Sequence, residues 1–250
     1  MSNKSRTCLI TGAAGGIGLA LVKVFTEAGY NVIAMDKSPR PEDLKCHAYL
    51  QDDIEKFVQN EDYAVKVLED IRNEFPQKRL HVLINNAAIQ ILGGLDTLTR
   101  SAWRSTLDTN LLAPFFLTQA LTEELEAGQG NVINIGSIHA RLTKSDFVAY
   151  STSKAALAGM TRSLAIDIGN RFRINAIEPG AIETKMLIEG FLEQPELSTK
   201  LMKYHPIQRI GKTTEIASAA LWLASDKCSF IHGECIQIDG GISSRLHDPM

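Results

Sequence analysis

The chain has 250 residues, 44% of them hydrophobic and 22% charged, with a formal net charge of −3, the make-up of an ordinary globular protein. Charges of both signs are interspersed, which leaves no basic field for a nucleic-acid backbone, and no apolar run approaches the roughly 18 residues that cross a bilayer. The cysteines (Cys8, Cys46, Cys228, Cys235) show neither CxxC spacing nor a nearby histidine at ligand spacing, so reduced thiols in a cytoplasmic protein are expected and a metal site is not. Met1–Arg6 is short and polar, runs straight into a strand-like segment, and does not read as a signal peptide.

Short β-branched apolar runs then alternate with segments of helical period. Thr7–Thr11 predicts a strand, and Gly16–Ala28 a helix ended by Gly29. Asn31–Asp36 and Cys46–Leu50 predict two further strands, Asp62–Phe75 a helix, and Leu80–Asn85 a fourth strand. Arg100–Thr109 leads into Leu111–Gly128 as helix, with Asn110 interrupting it and Gly128 placed as its terminator. Strand Asn131–Gly136, helix Ser151–Gly169, strand Arg173–Glu178, helix Thr213–Ala224 and strand Glu234–Ile238 complete the pattern. Runs such as Val82-Leu83-Ile84 are apolar almost continuously, as in strands covered on both faces. This alternation predicts α/β architecture: a doubly wound, Rossmann-type parallel seven-stranded sheet with helices on both faces. No linker, repeat or low-complexity tract divides residues 1–250, so a single domain is expected. Residues 183–212 break the pattern with Pro195 and Pro206; they read as a substrate loop or lid, or as a helix pair that merely packs.

Directly after the first strand, Thr11-Gly12-Ala13-Ala14-Gly15-Gly16-Ile17-Gly18 opens a helix. Such a loop offers backbone N–H groups and a positive helix end to a diphosphate, with no side chains in the way. The spacing differs from G-x-G-x-x-G, and glycine turns of this kind also occur without ligands. Asp36 ends the second strand, 18 residues after Gly18. There a carboxylate can accept from both adenosine ribose hydroxyls and repel a 2′-phosphate, which favours NAD over NADP. Lys37, next along, is the one feature that offers a phosphate a partner; Asp36 as a plain solvated acid is the alternative. Asp52-Asp53-Ile54 and Asn85-Asn86-Ala87-Ala88 follow the third and fourth strands at the carboxyl edge, although an Asn pair can also simply turn the chain.

Tyr150-Ser151-Thr152-Ser153-Lys154 begins a helix, where i to i+4 spacing puts Tyr150 and Lys154 on one face. A phenol near pKa 10 is a poor base; an adjacent ammonium, and the positive ring of an oxidised nicotinamide, favour the phenolate. Such a tyrosine can exchange a proton with a carbonyl or alcohol oxygen as hydride moves. Ser137 follows the fifth strand, 13 residues before Tyr150, and its hydroxyl can steady the same oxygen. Asn110, inside a helix, competes for backbone groups and can hold a kink or a water.

With these residues in hand, the chain resembles the short-chain dehydrogenase/reductase family, in its compact branch of about 250 residues. The likeness covers the whole length. It rests on Thr11–Gly18, Asp36, Asp53-Ile54, Asn85–Ala88, Asn110, Ser137, Tyr150–Lys154 and Pro179–Thr184, in family order and spacing. It implies an NAD-dependent oxidoreductase of secondary alcohols or ketones. Tyr150 would be general acid/base and Ser137 its carbonyl-polarising partner. Lys154 would lower the tyrosine pKa and hold the nicotinamide ribose, and Asn110 would keep a relay water. Gly12, Gly15, Ile17, Asp36, Asp53, Ile54, Asn86 and Ile182 would line the cofactor groove with Tyr150 and Lys154. Ala88 stands where the family usually has glycine, and its methyl could narrow the nicotinamide end. A homotetramer or homodimer is implied as well.

The substrate end is thinner. Gln90, Ile91, Ile138, His139, Arg141, Phe147, Met186 and the Leu187–Tyr204 stretch are candidate walls. His139 and Gln90 would touch substrate beside Ser137 and Tyr150, although a loop histidine facing water is the plainer expectation. Arg141 and Lys144 could catch an acid but are ordinarily solvated. A secondary alcohol or ketone of modest size is expected, with a polyol, sugar or hydroxy acid among the candidates, and Asp36 weighs against the NADPH-linked acyl-chain reductases. A catalytically quiet NAD(H) sensor on the same fold is the alternative.

Overall fold

In the computed structural model, residues 6–184, 187–188 and 195–246 are described. Seven strands form one parallel sheet in the order β3-β2-β1-β4-β5-β6-β7. They are β1 (Thr7–Thr11), β2 (Asn31–Asp36), β3 (Ala48–Gln51), β4 (Val82–Asn85), β5 (Asn131–Ile135), β6 (Arg173–Pro179) and β7 (Cys235–Ile238). Every residue of β1, β4 and β5 is buried, which is why their sequences run apolar without alternation. Alternation persists in which face each side chain joins. Cys8 and Ile10 pack on one side of the sheet with α1 (Gly16–Glu27), while Leu9 packs on the other with α3 (Glu61–Asn73).

The first face is closed by α1 and α9 (Thr213–Ala224), through Leu21, Phe25, Ile216 and Ala220. The second is covered by α3, α5 (Ala113–Ala120) and α7 (Val148–Ile168), through Val67, Ile71, Leu117 and Ala165. Strand order reverses between β1 and β4, so a crevice opens at their carboxyl ends.

Several boundaries differ from expectation. The third strand begins at Ala48 rather than Cys46, and a six-residue helix, α2 (Ile54–Gln59), follows it. Asp53 caps α2 by accepting from Glu55 N–H at 2.9 Å. The long helix expected from Arg100 to Gly128 is broken into α4 (Arg100–Leu107), a π turn over Asp108–Leu112, α5 and α6 (Thr122–Gly128). Pro114 explains the π turn: it has no N–H for the carbonyl of Asn110, four residues back. Gly128 does not supply the left-handed residue that ends α6; Gln129 does, with φ +48°. Gly128 is small for another reason, since a Cβ there would lie 2.2 Å from the Leu80 carbonyl oxygen.

Within 183–212, Pro195–Tyr204 forms α8. The ends of the segment are tied together, Glu183 N–H donating to Gly211 O at 2.8 Å and Gly211 N–H to Ala181 O at 2.9 Å. Met186 and the 189–194 part of the expected lid lie outside the described residues.

Candidate active site

The glycine loop is shaped by what it touches. Gly12 has φ +65°, and a Cβ there would lie 2.7 Å from Ala87 Cα. A Cβ on Gly18 would lie 2.0 Å from Gly12 O, so glycine is required for α1 to pack on the loop. Asn85-Asn86 is more than a turn. Asn86 Nδ2 donates to the carbonyls of Thr11 and Gly12, each at 2.9 Å, while Thr11 Oγ1 accepts from the N–H groups of Asn86 and Ala87 at 3.1 Å. β4 is thereby stitched to the loop across the crevice.

The loop itself stays open. Gly15 precedes α1, no side chain caps that helix, and its first turn carries no acid, so its N-terminal N–H groups and positive dipole end are free for an anion. Ile17, in that first turn, packs partly buried against the core. Asp36 Oδ2 accepts from Ala14 N–H at 3.0 Å and Oδ1 from Ser38 N–H at 2.9 Å. Its carboxylate therefore fixes the loop as well as facing the crevice, whose walls include Gly12, Asp36, Asp53, Ile54, Ala88 and Thr109. Thr109 Oγ1 is buried there without a hydrogen-bond partner. Ile182, buried, pairs with Gly211 at the root of the 183–212 segment.

The second cluster forms at the carboxyl end of β5. Ser137 caps a short 3-10 turn over Ile138–Ala140, its Oγ accepting from His139 N–H at 3.1 Å. Its hydroxyl lies near enough to Tyr150 to favour the phenolate. Lys154, one turn after Tyr150 and 3% exposed, donates from Nζ to Ile135 O at 2.8 Å. The ammonium lies 5.8 Å from the centre of the Tyr150 ring. Asn110 completes the group from the π turn. Its Oδ1 accepts from Ile89 N–H and its Nδ2 donates to Ile89 O, both at 2.9 Å, and Nδ2 also reaches Ser153 Oγ at 3.1 Å. Ser153 Oγ donates to Tyr150 O at 2.7 Å, so Asn110 is joined to the helix that carries Tyr150.

Burial pushes the Tyr150 phenol up, and the neighbouring Ser137 hydroxyl opposes that rise. Burial also lowers Lys154 from 10.5 to about 8.

His139 is half-buried rather than simply solvated. Its ring stacks on Phe147 at 4.5 Å, meets Tyr150 edge-on at 5.7 Å, and shares a hydrogen bond with Thr143 Oγ1 at 3.1 Å. Burial, reinforced by Lys144, lowers it to about 4. Lys144 itself lies over the Phe147 ring at 4.7 Å. Arg141 pairs with Glu178, so it is not a free cation awaiting a substrate. Gln90 is exposed on the loop after β4, next to Ile89, which bonds Asn110.

Sequence reasoning passed over Asn134, hidden in an apolar run. Asn85 Nδ2 donates to Asn134 Oδ1 at 2.8 Å, and Asn134 Nδ2 to Thr161 Oγ1 at 2.9 Å, a buried polar chain linking β4, β5 and α7 beneath the site. Both bonds of that chain join residues far apart in sequence, so no local signal could have found it. Among the described residues no group of three or more His, Cys, Asp or Glu is placed to hold a metal. None of the described helices is long and apolar enough to cross a membrane.

Comparison with known proteins extends the likeness along the chain. A family model described as enoyl-(acyl carrier protein) reductase matches residues 12–243. The 3-oxoacyl-[acyl-carrier-protein] reductase FabG of Thermotoga maritima is 33% identical over 249 residues, covering 97% of this chain and 99% of its own. The NAD-dependent glycerol dehydrogenase of Listeria innocua is 32% identical over 244 residues, covering 94% and 93%. Among solved structures, the ligand-free aldohexose dehydrogenase of Thermoplasma acidophilum superposes with a TM-score of 0.91 at 29% identity, covering 98% of this chain and 97% of its own.

Proposed function

The chain belongs to the short-chain dehydrogenase/reductase family, and on that premise we propose that it is an NAD-dependent oxidoreductase of a secondary alcohol or ketone. A substrate of modest size is meant, a polyol, sugar or hydroxy acid. The observation that carries this reading is the convergence of Asn110, Ser137, Tyr150 and Lys154 beside an open glycine loop.

The residues fit a dinucleotide. Gly12, Gly15 and Ile17 would hold the diphosphate on the uncapped end of α1, and Asp36 the adenosine ribose. Asp53 and Ile54 would flank the adenine, with the unpartnered Thr109 hydroxyl beside them. Asn86 and Ile182 would border the nicotinamide end. Lys154 uses one of its three donors on Ile135 O, which leaves two for the ribose hydroxyls. When bound, the nicotinamide takes or gives the hydride. Tyr150 Oη takes the alcohol proton in oxidation, or gives one to the carbonyl oxygen in reduction. Ser137 Oγ donates to that same oxygen. The Lys154 ammonium, lowered to about 8, sits where a proton can be replaced near neutral pH. Asn110, buried in the π turn, would keep a water in that path.

Asp36 supports NAD, and the Listeria relative's name agrees with that choice. The names of the glycerol and aldohexose dehydrogenases support a hydroxylated substrate. A homotetramer or homodimer accompanies this reading, supported by Phe116 on α5 and Ile166 on α7, apolar side chains left 38% and 87% exposed. Sedimentation of the purified chain tests it.

The deciding experiment is a panel of polyols, sugars, hydroxy acids, their ketones and a β-ketoacyl thioester, run with NAD(H) and NADP(H). Absorbance of the reduced nicotinamide is the readout. NAD-linked turnover of a hydroxylated substrate is expected; a strict preference for NADP, or tight NAD binding with no turnover across the panel, overturns the reading.

A further inference from the structure

Glu178 lies at the carboxyl end of β6 and is 1% exposed, yet it is a carboxylate. A buried acid is retained only when something compensates it, and an apolar residue would fill the same space at less cost. Its nearest ion-pair partner is Arg141, whose Nε approaches Glu178 Oε2 to 3.1 Å from the loop between β5 and α7, while neither carboxylate oxygen has a hydrogen-bond partner among the described residues. Burial raises the Glu178 carboxyl and Arg141 opposes that rise; Arg162 on α7 and Glu234 beside β7 also face it, with opposite signs.

What this pair grips is the turn that carries Ser137. Glu178 also lies against Gly136, the residue before Ser137, where a Cβ would come within 3.2 Å of Glu178 Cγ. Gly136 N–H donates to Ile177 O at 2.7 Å. Four residues after Ser137, Arg141 closes the 3-10 turn, its N–H donating to Ile138 O at 3.0 Å. From Arg141 to Asp146 every residue is exposed, so this stretch has no buried side chain to hold it. Its far end is tied to Gly93, whose N–H donates to Asp146 O at 2.7 Å. Its near end is tied by the Arg141–Glu178 pair.

We propose that Glu178 is a positioning residue: its buried carboxylate, through Arg141, holds the 137–141 turn so that Ser137 and His139 keep their places beside Tyr150. The proposal rests on the oxidoreductase reading for its consequence in catalysis, and on geometry alone for its consequence in the loop. Freed from Glu178, the turn lets His139 leave Phe147 and Ser137 drift from Tyr150. Misplacement of that order at a reacting centre costs about 10- to 100-fold in kcat.

The test uses Glu178→Gln, Arg141→Gln and the conservative Arg141→Lys. Histidine ring titrations followed by NMR, with His139→Asn as the assignment control, need no substrate. Burial and Lys144 hold His139 down to about 4, so a depressed value is expected in the parent; in both Gln variants it should move up toward its ordinary value near 6.5, while Arg141→Lys stays near the parent. On the substrate found by the panel, both Gln variants should lose about 10- to 100-fold in kcat with KM for NAD(H) little changed. The double variant should be no worse than either single one. If Glu178→Gln fails to fold, Arg141→Gln, altered at the exposed end of the pair, decides alone. A parent-like His139 titration in the Gln variants overturns the proposal, even if thermal stability falls. A panel without turnover instead defeats the oxidoreductase reading, and the titration still decides this one.

Discussion

Lys154 Nζ donates to the carbonyl oxygen of Ile135 at 2.8 Å, from a side chain almost wholly out of solvent. Burial lowers its pKa from 10.5 to about 8. A lysine whose folded value is depressed costs stability while it is charged, below the folded value, and the cost is relieved as pH rises from about 8 to 10.5. With about 1.4 kcal/mol per pH unit of difference, the relief amounts to about 3 kcal/mol. Lys154→Met has no such group. The unfolding free energy of the parent minus that of Lys154→Met should therefore grow by up to about 3 kcal/mol across this window, in favour of the parent. Urea titrations at several pH values measure it. A flat difference would mean that Lys154 is not a buried ammonium.

The influence of Ser137 on the Tyr150 phenol separates two variants that sequence spacing alone would treat alike. Tyr150→Phe removes the proton carrier and should lower kcat by about 10³-fold or more, with NAD(H) affinity within about threefold by fluorescence titration. Ser137→Ala removes one donor and the one influence that opposes the rise of the phenol. It should cost about 10²-fold in kcat and move the alkaline-side requirement of the rate to higher pH. Ser137→Ala with parent-like activity would take Ser137 out of the site.

Asp36 does two things, which complicates the usual substitution. Because Oδ2 accepts from Ala14 N–H, Asp36→Ala loosens the glycine loop and should weaken both dinucleotides together. Asp36→Asn retains an acceptor for that N–H while removing the charge. It should keep most of the loop geometry and improve the ratio of NADP to NAD affinity by about 10-fold or more, the order set by removing one close like-charge contact. Isothermal titration with each oxidised cofactor distinguishes the variants. If both shift the ratio equally, the bond from Ala14 contributes nothing to cofactor choice.

Much of this architecture was legible because its signals are local. Strands buried on both faces announce themselves as apolar runs, and β1 and β2 begin and end where expected. The Tyr150–Lys154 spacing survives intact because one helix carries both. The rest depends on contacts between segments far apart in the chain. Helix α2 is six residues long, too short for a period to register, and owes its start to Asp53. Asn134 reads as a blemish in a strand until Asn85 and Thr161 are seen on either side. The packing of His139 is not legible locally because Phe147, its stacking partner, is eight residues away across a loop. Arg141 was read as free because Glu178 belongs to another strand. Pro114 was the one local clue left unused: it marks the π turn that brings Asn110 inward.

Gly128 and Gln129 give the sharpest stability test, because the left-handed conformation expected of Gly128 falls on Gln129 instead. A Cβ on Gly128 would lie 2.2 Å from Leu80 O and 2.7 Å from Leu80 C, both backbone atoms that cannot move without disturbing the entry to β4. Gly128→Ala should therefore destabilise the protein by about 3 kcal/mol, the upper range for forced overpacking. Gln129 holds φ +48° without being glycine, a conformation that costs a side-chain-bearing residue about 1 kcal/mol or more. Gln129→Gly should stabilise by about 0.5–1 kcal/mol once the greater freedom of glycine in the unfolded chain is subtracted. Gly29→Ala is the internal control, with φ +85° and nothing within 4 Å of the added carbon: backbone strain alone acts there, and its cost should fall well below that of Gly128→Ala. Thermal and urea unfolding of the three variants check the order. If Gly128→Ala costs no more than Gly29→Ala, the close approach of α6 to Leu80 is wrong.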